Sequence, residues 1–169
     1  CFTWNILSIY KKIIQDNVEK LSGSTIQKHL ELCGRVCYNS VNAIKDGSDS
    51  SFLSGIINRG HTSVLEHASI CLAFYTKDFE SLHGYDILVD GISLPVKFMW
   101  WTTINDKVFI SANVRAWKNF VDMLKCPNEY DKNFSNNLYN VLTQVLHILA
   151  PSIFDKGELD EFLDINSYT

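Results

Sequence analysis

Residues 60–75, GHTSVLEHASICLAFY, join a polar loop to a continuous apolar run. The loop, residues 60–67, holds two histidines, a carboxylate and two hydroxyls within eight positions. A helix-like apolar pattern at residues 52–57 precedes the loop, and a dense apolar run at residues 68–75 follows it. Titratable side chains concentrated at a junction between a helix and a strand are typical of a binding or catalytic loop.

Helical spacing of apolar residues predicts helices on both sides of this stretch. Ser24 is a suitable N-cap for a helix that runs to about residue 39. A polar loop follows at residues 42–51, and Gly60 is placed to terminate a short third helix after it. The predicted helices are residues 6–21, 24–39, the short stretch ending at Gly60, 113–126 and about 133–150.

The middle of the chain is rich in β-branched and aromatic residues, which predicts a group of strands. Asp90-Gly91 and Asn105-Asp106 are turn dipeptides between them. Because helices precede and follow the strands, we expect an α+β fold in one domain, with an antiparallel or mixed central sheet flanked by helices. The domain covers residues 1–169, and its predicted strands are residues 70–76, 87–89, 97–103 and 107–112.

Periodicity also assigns directions to single side chains. Cys33 and Cys37 share the apolar face of the second helix, so we expect both to be buried free thiols. His147 points away from the apolar face of the last helix, so we expect it in solvent. Trp100 and Trp101 are adjacent in a strand and point to opposite faces. We expect one of them in the core and the other against a second layer, another subunit or solvent.

The composition is that of a globular protein, since 46% of its 169 residues are hydrophobic and 20% are charged. The net charge of -4 argues against a general binder of DNA or RNA, which carries a basic stripe. Five cysteines without a regular framework indicate free thiols in a reducing compartment, and we expect no metal site. Without a signal peptide or an apolar run of about 18 residues, we expect a soluble cytoplasmic protein with no membrane contact.

A second polar group lies at the start of the helix that follows the last predicted strand. Asn113 is suited to be its N-cap, while Arg115 and Asn119 fall on one polar face of this helix, together with Asp122. A helix N-terminus suits a phosphate or an electron-rich ring edge, because its N–H groups are free and its dipole end is positive. A capped helix with a solvated polar face explains the same pattern. The residues expected in the core are Val114, Trp117, Val121 and Leu124.

Together, the two segments resemble the flavin-dependent thymidylate synthases. That family has a Gly-His-x-[Ser/Thr]-x-x-Glu-His loop, here residues 60–67, and a later Asn-x-Arg-x-x-x-Asn-Phe stretch, here residues 113–120. Residues 34–38, GRVCY, are similar to the family's Ala-Arg-Val-x-[Tyr/Phe] helix end, and residues 151–154 are similar to its closing Pro-x-x-Phe. The resemblance spans residues 30–154.

The resemblance implies a fold, a cofactor and roles for single residues. The family forms homotetramers that bind FAD between subunits, with the flavin ring over dUMP. Reduced FAD carries a one-carbon unit from methylenetetrahydrofolate to the uracil ring, and NADPH supplies the electrons. By this resemblance, His61 is the candidate catalytic residue, near the flavin ring and the folate. The implied FAD-binding residues are Ser63, Glu66, Asn113, Arg115 and Asn119.

The sequence departs from the family pattern in two places. The family's Arg-His-Arg motif follows the strand equivalent to residues 70–76, where this chain has residues 77–85 and no arginine. The family arginine that grips the dUMP phosphate corresponds to Leu124, beside Lys125. Lysine can bind phosphate as a point charge but lacks the bidentate fork of arginine.

Three functions are compatible with these residues. The first is a divergent flavin-dependent thymidylate synthase, or a close relative that transfers a one-carbon unit to dUMP or a related pyrimidine nucleotide. The second is a relative without catalysis that binds only flavin or nucleotide or serves as a structural subunit. The chain has only three arginines, which are few to bind the negative charges of FAD, a nucleotide monophosphate and a folate. This count leaves the first two functions open. The third is an unrelated metal hydrolase that uses His61, Glu66 and His67, although their spacing matches no standard zinc helix.

Overall fold

The computed structural model describes residues 23–81, 98–125 and 132–156. Two short 3-10 turns, Val41–Ala43 and Thr62–His67, lie between its helices and strands. The helices are α1 Gly23–Cys37, α2 Ser48–Asn58, α3 Thr76–Ser81, α4 Val114–Lys125 and α5 Lys132–Leu149. The strands are β1 Ser69–Tyr75, β2 Met99–Ile104 and β3 Lys107–Asn113.

The three strands form one antiparallel sheet in the order β1-β3-β2. A two-residue turn joins β2 to β3, and within it Asn105 has a φ of 56°, in the left-handed region that asparagine tolerates. β3 pairs with β1 from Ser69 opposite Asn113 to Tyr75 opposite Lys107. The predicted α+β class, with an antiparallel sheet and flanking helices, is therefore confirmed.

Most of the predicted elements that fall in the described ranges are observed. The strands predicted at residues 70–76, 97–103 and 107–112 and the turn at residues 105–106 are confirmed within two residues. The two closing helices also match their predicted limits. The helix predicted at residues 6–21, the strand at 87–89 and the turn at 90–91 lie outside the described residues. No helix of the described ranges is both long and apolar enough to cross a membrane.

One face of the sheet forms the core together with α4 and α5. Trp117 of α4 is fully buried, and its Nε1 donates to the carbonyl oxygen of Ile70 at 3.0 Å. The N–H of Val114 donates to the carbonyl oxygen of Ala68 at 2.9 Å, which holds the start of α4 beside the end of the Thr62–His67 turn. The side chains buried in this core include Leu72, Phe74, Val108, Ile110, Phe120, Val121, Leu138, Leu142 and Leu146.

Helices α1 and α2 both end with a residue in the left-handed region. Gly60 has a φ of 72°, and its N–H donates to Ile57 at 2.9 Å while the N–H of His61 donates to Ile56 at 3.0 Å. This pair of bonds is the Schellman motif, which glycine favours because it has no Cβ. Asn39, with a φ of 50°, ends α1 in the same way. The prediction that Gly60 terminates its helix is confirmed.

The loop predicted at residues 42–51 is wrong in its second half, because α2 begins at Ser48. Ser48 and Asp49 are buried rather than solvated. Ser48 Oγ accepts from the N–H of Lys45 at 3.0 Å and lies 2.7 Å from Glu31 Oε1. The first turn of α2 contains no apolar residue, so hydrophobic periodicity does not reveal it.

Three side-chain directions differ from their predictions. Cys33 is half-buried, but Cys37 is exposed because it ends α1 at the surface. His147 is half-buried rather than in solvent, and its Nδ1 donates to the carbonyl oxygen of Phe154 at 2.7 Å. Neither tryptophan of β2 enters the core, since Trp100 is 69% exposed and Trp101 is 42% exposed. Among the described strands, β2 is an outer one in the order β1-β3-β2.

Candidate functional site

The 3-10 turn Thr62–His67 presents its polar side chains outward from a buried anchor. Val64 and Leu65 are buried, whereas Ser63 and Glu66 are exposed. Val64 also lies against α1, where a Cβ on Gly34 would come within 3.2 Å of its side chain. The apolar residues of the turn therefore fix its backbone on the core, and its hydroxyl and carboxylate remain at the surface.

The first end of this turn is joined to the end of α1. His61 Nδ1 lies 2.9 Å from the hydroxyl oxygen of Tyr38, within hydrogen-bond distance. The two rings also stack, with centroids 6.2 Å apart and planes 24° apart. The structure thus brings the candidate catalytic histidine together with the last residue of the motif at residues 34–38.

The second end of the turn is joined to α1 as well. His29 Nε2 donates to the carbonyl oxygen of His67 at 3.1 Å. Cys33 Sγ lies 3.7 Å from the same nitrogen. Because α1 contacts the turn at both ends, the positions of His61 and Glu66 depend on how α1 packs.

Glu66 and Arg115 form an ion pair between the turn and α4. Arg115 Nη1 donates to Glu66 Oε1 at 2.5 Å, across 49 positions of sequence. The side chains are 43% exposed for Arg115 and 42% exposed for Glu66. An exposed pair of this kind contributes less than about 1 kcal/mol to stability. Both groups stay accessible to a ligand at the surface.

The N-terminus of α4 completes this group of residues. Asn113 is the N-cap, as predicted, since its Oδ1 accepts from the N–H of Ala116 at 2.8 Å. Asn119 is exposed one helical turn beyond Arg115. The side chains predicted to face the core from α4 are all buried, and the polar face predicted for Arg115 and Asn119 is the outer one.

The chain was compared with protein-family models, curated proteins and solved structures. No protein-family model, curated protein or solved structure matches the chain. Within the described ranges, no three His, Cys, Asp or Glu side chains lie close enough to hold one metal ion. His61 and Glu66, two of the ligands of the metal hydrolase alternative, instead contact Tyr38 and Arg115. The contacts of these residues therefore do not favour that alternative.

A polar cleft of about 190 Å³ lies between α4, the end of α2 and residues 152–155, and the sequence did not indicate it. Lys118 pairs with Asp122 at 2.7 Å, and Lys125 pairs with Asp155 at 2.6 Å. The hydrogen bond from Lys125 lowers the pKa of Asp155, and the same bond raises the pKa of Lys125. The i,i+4 spacing of Lys118 and Asp122 was a signal for the first pair, but no local pattern joins Lys125 to Asp155.

The sequence pattern also did not indicate a buried polar network between α1 and α2. Glu31, which is 1% exposed, accepts from Arg35 Nε at 2.7 Å. Gln27 donates to Asp49 at 2.9 Å, and its carbonyl oxygen accepts from the N–H of Ser152 at 2.8 Å. The guanidinium of Arg35 lies over the ring of Phe52, 4.7 Å from its centre. Arg35 therefore contributes to the packing of α1 on α2.

Proposed function

We propose that this protein is a relative of the flavin-dependent thymidylate synthases, with their fold, and that it binds FAD where the Thr62–His67 turn meets α4. The observation that supports this proposal is the Glu66–Arg115 contact at 2.5 Å. The two residues belong to separate motifs of the resemblance, and both side chains remain accessible. The proposed reaction is one-carbon transfer from methylenetetrahydrofolate to dUMP, with NADPH as the electron donor.

The residues at this position fit an FAD molecule by their hydrogen-bonding capacity. Arg115 uses one N–H on Glu66, and its guanidinium has five, so donors remain for a phosphate oxygen. The positive end of α4 lies beside the end of the turn, and Ser63, three residues before Glu66, exposes its hydroxyl. When bound, FAD supplies the redox and one-carbon chemistry, while these side chains bind and orient it.

The proposed FAD site at Glu66 and Arg115 is open to solvent, so another surface has to cover the flavin to exclude water. Ligand pockets for molecules of this size have volumes of ~300 to 1,000 Å³. The cleft of about 190 Å³ between α4 and the end of α2 is smaller and lies at different side chains. We therefore propose that a second copy of the chain covers the flavin, within the homotetramer expected for the family.

A relative that binds flavin without transferring the one-carbon unit is the second candidate. The observation that favours it is the Lys125–Asp155 pair at 2.6 Å. Lys125 lies beside the position that holds the dUMP phosphate in the family. In this structure the ammonium group of Lys125 is already paired with the Asp155 carboxylate. Lys125 donates one of its three N–H groups to Asp155, so a nucleotide monophosphate at Lys125 would share it with a carboxylate that repels the phosphate.

The proposal predicts that Arg115→Ala weakens FAD binding by about 10- to 100-fold, because hydrogen bonds to charged groups contribute about 1.5–3 kcal/mol. The dissociation constant is measured by the quenching of flavin fluorescence. Lys107→Ala is the matched control, since it also removes one positive charge but lies at the opposite end of β3. Equal affinity of wild type and Arg115→Ala, with both folded by circular dichroism, contradicts the proposal.

A further inference from the structure

The contact between Tyr38 and His61 has a defined geometry at the end of two helices. The hydroxyl oxygen of Tyr38 lies 2.9 Å from Nδ1, and the ring planes differ by 24°. Both backbones are fixed next to the contact, since Tyr38 N–H donates to Gly34 at 3.0 Å and His61 N–H donates to Ile56 at 3.0 Å. The backbones that carry the two side chains are therefore held by hydrogen bonds at the ends of two helices.

The chemistry of the two groups gives this hydrogen bond a direction. A neutral imidazole carries one proton, so one ring nitrogen donates and the other accepts. A phenol hydroxyl is a stronger acid than a neutral imidazole N–H, and an imidazole nitrogen is a stronger base than a phenol oxygen. The better arrangement has the Tyr38 hydroxyl donating to Nδ1. The single proton of the neutral ring then lies on Nε2.

We infer that Tyr38 is a positioning residue that fixes His61 as the Nε2–H tautomer, which makes His61 a hydrogen-bond donor to its ligand and not a general base. Nδ1 is occupied by the Tyr38 hydroxyl, and Nε2 already carries a proton. Neither nitrogen of the neutral ring can accept a proton from a ligand while Tyr38 stays in place. In the described part of the chain, Nε2 makes no hydrogen bond, so it can donate outward.

This inference specifies the ligand atom that His61 contacts. A fixed N–H donor is complementary to an acceptor oxygen, such as a ring carbonyl, and is not complementary to a group that must lose a proton. The ligand part rests on the proposed function, in which a flavin or pyrimidine ring supplies that carbonyl. The tautomer itself is a property of the protein without ligand.

The tautomer is tested by long-range proton–nitrogen NMR of the ligand-free protein, at a pH about two units above the ordinary histidine pKa. We expect the signal of His61 to show a protonated Nε2 and a hydrogen-bonded, unprotonated Nδ1. In Tyr38→Phe, the Nδ1 signal should move to that of His67, an exposed histidine that serves as the internal reference. A protonated Nδ1 in the wild type, or a signal that Tyr38→Phe leaves unchanged, overturns the inference.

The ligand contact is tested with amide substitutions of His61. The side-chain nitrogen of glutamine reaches the position of Nε2, and that of asparagine reaches the position of Nδ1. We expect His61→Gln to recover most of the FAD affinity that His61→Ala loses, and His61→Asn to recover none. Equal losses in His61→Gln and His61→Asn overturn the donor role. If the wild type does not bind FAD, the proposed function fails, while the NMR result still decides the tautomer.

Discussion

At the scale of single residues, the ends of helices determine where the candidate site lies. Asn113 caps the first turn of α4, where its Oδ1 accepts from the N–H of Ala116 at 2.8 Å. Gly60 ends α2 in the left-handed region and puts His61 at the start of the turn. Each of these residues acts through its own backbone or nearest neighbours.

Replacing Asn113 with alanine should lower the free energy of unfolding by about 1 kcal/mol, because an N–H at the start of α4 then has no side-chain acceptor. The measurement is urea denaturation of the ligand-free protein. Asn119→Ala is the matched control, since Asn119 is exposed on the same helix and should change stability by less than about 0.5 kcal/mol. Equal effects of the two substitutions contradict the capping role.

These local features explain why part of the site could be predicted from the sequence. The N-cap at Asn113 and the stop at Gly60 depend on residues within four positions, which a sequence pattern contains. The contacts of Tyr38 with His61 and of Glu66 with Arg115 join residues 23 and 49 positions apart. No spacing rule indicates such pairs, and the resemblance brought Glu66 and Arg115 together only as members of one implied site.

At the scale of elements, close packing of α1 on α2 positions the residues that hold the turn. A Cβ on Gly34 would lie 2.7 Å from the ring of Phe52, closer than packed carbon atoms approach. The same Cβ would lie 3.2 Å from the side chain of Val64, and the guanidinium of Arg35 lies over the Phe52 ring. The buried bonds of Glu31 and Gln27 then join α1 to α2 and to Ser152. The sequence showed the apolar faces of these helices but not their buried polar contacts.

Two helical glycines give opposite predictions. Gly34→Ala should lower the free energy of unfolding by about 1–3 kcal/mol, because it overpacks the interface between α1 and α2. Gly55→Ala should raise it by up to about 1 kcal/mol, since alanine favours helices and its Cβ would meet only the flexible end of Arg59 at 3.3 Å. Both are measured by urea denaturation. A stabilising Gly34→Ala contradicts the close approach.

The Lys125–Asp155 pair should make a small contribution to stability that depends on pH. The hydrogen bond from Lys125 lowers the pKa of Asp155 in the folded state. The contribution of the pair to stability is therefore present above the unfolded aspartate pKa of about 3.9 and is lost as the pH falls through the folded-state pKa. Asp155→Asn should therefore lower stability at neutral pH by less than about 1 kcal/mol, because the pair is exposed, and should match the wild type in acid. Asp46→Asn, at an exposed position, is the control. A difference that persists in acid rules out this origin.

At the scale of the whole molecule, β2 presents large apolar side chains on one face of the sheet. Trp100 is 69% exposed and Ile104 is 55% exposed. Both side chains lie on one face of the sheet, while the buried side chains of Ile110 and Val108 lie on the other face. A group of exposed large apolar side chains is typical of a surface that another chain covers. The exposure of both tryptophans in β2 did not follow from strand periodicity, which assigns faces but not the extent of the layers above them.

We expect the purified protein to be an oligomer by light scattering, with β2 in an interface between copies. Trp100→Ser should shift the mass distribution towards the monomer, because it removes apolar surface from that interface. Ser81→Ala, at an exposed position on α3, is the control and should leave the mass unchanged. A monomeric wild-type protein contradicts both the interface and the proposal that a second copy covers the flavin.

The central proposal, that FAD binds where Glu66 meets Arg115 and accompanies a pyrimidine nucleotide, is tested most directly by visible absorption. The spectrum of the purified protein is recorded alone, after addition of FAD, and again after addition of dUMP. We predict a bound oxidised-flavin band that shifts when dUMP is added. The absence of any bound flavin band, even with FAD in excess, would contradict the proposal.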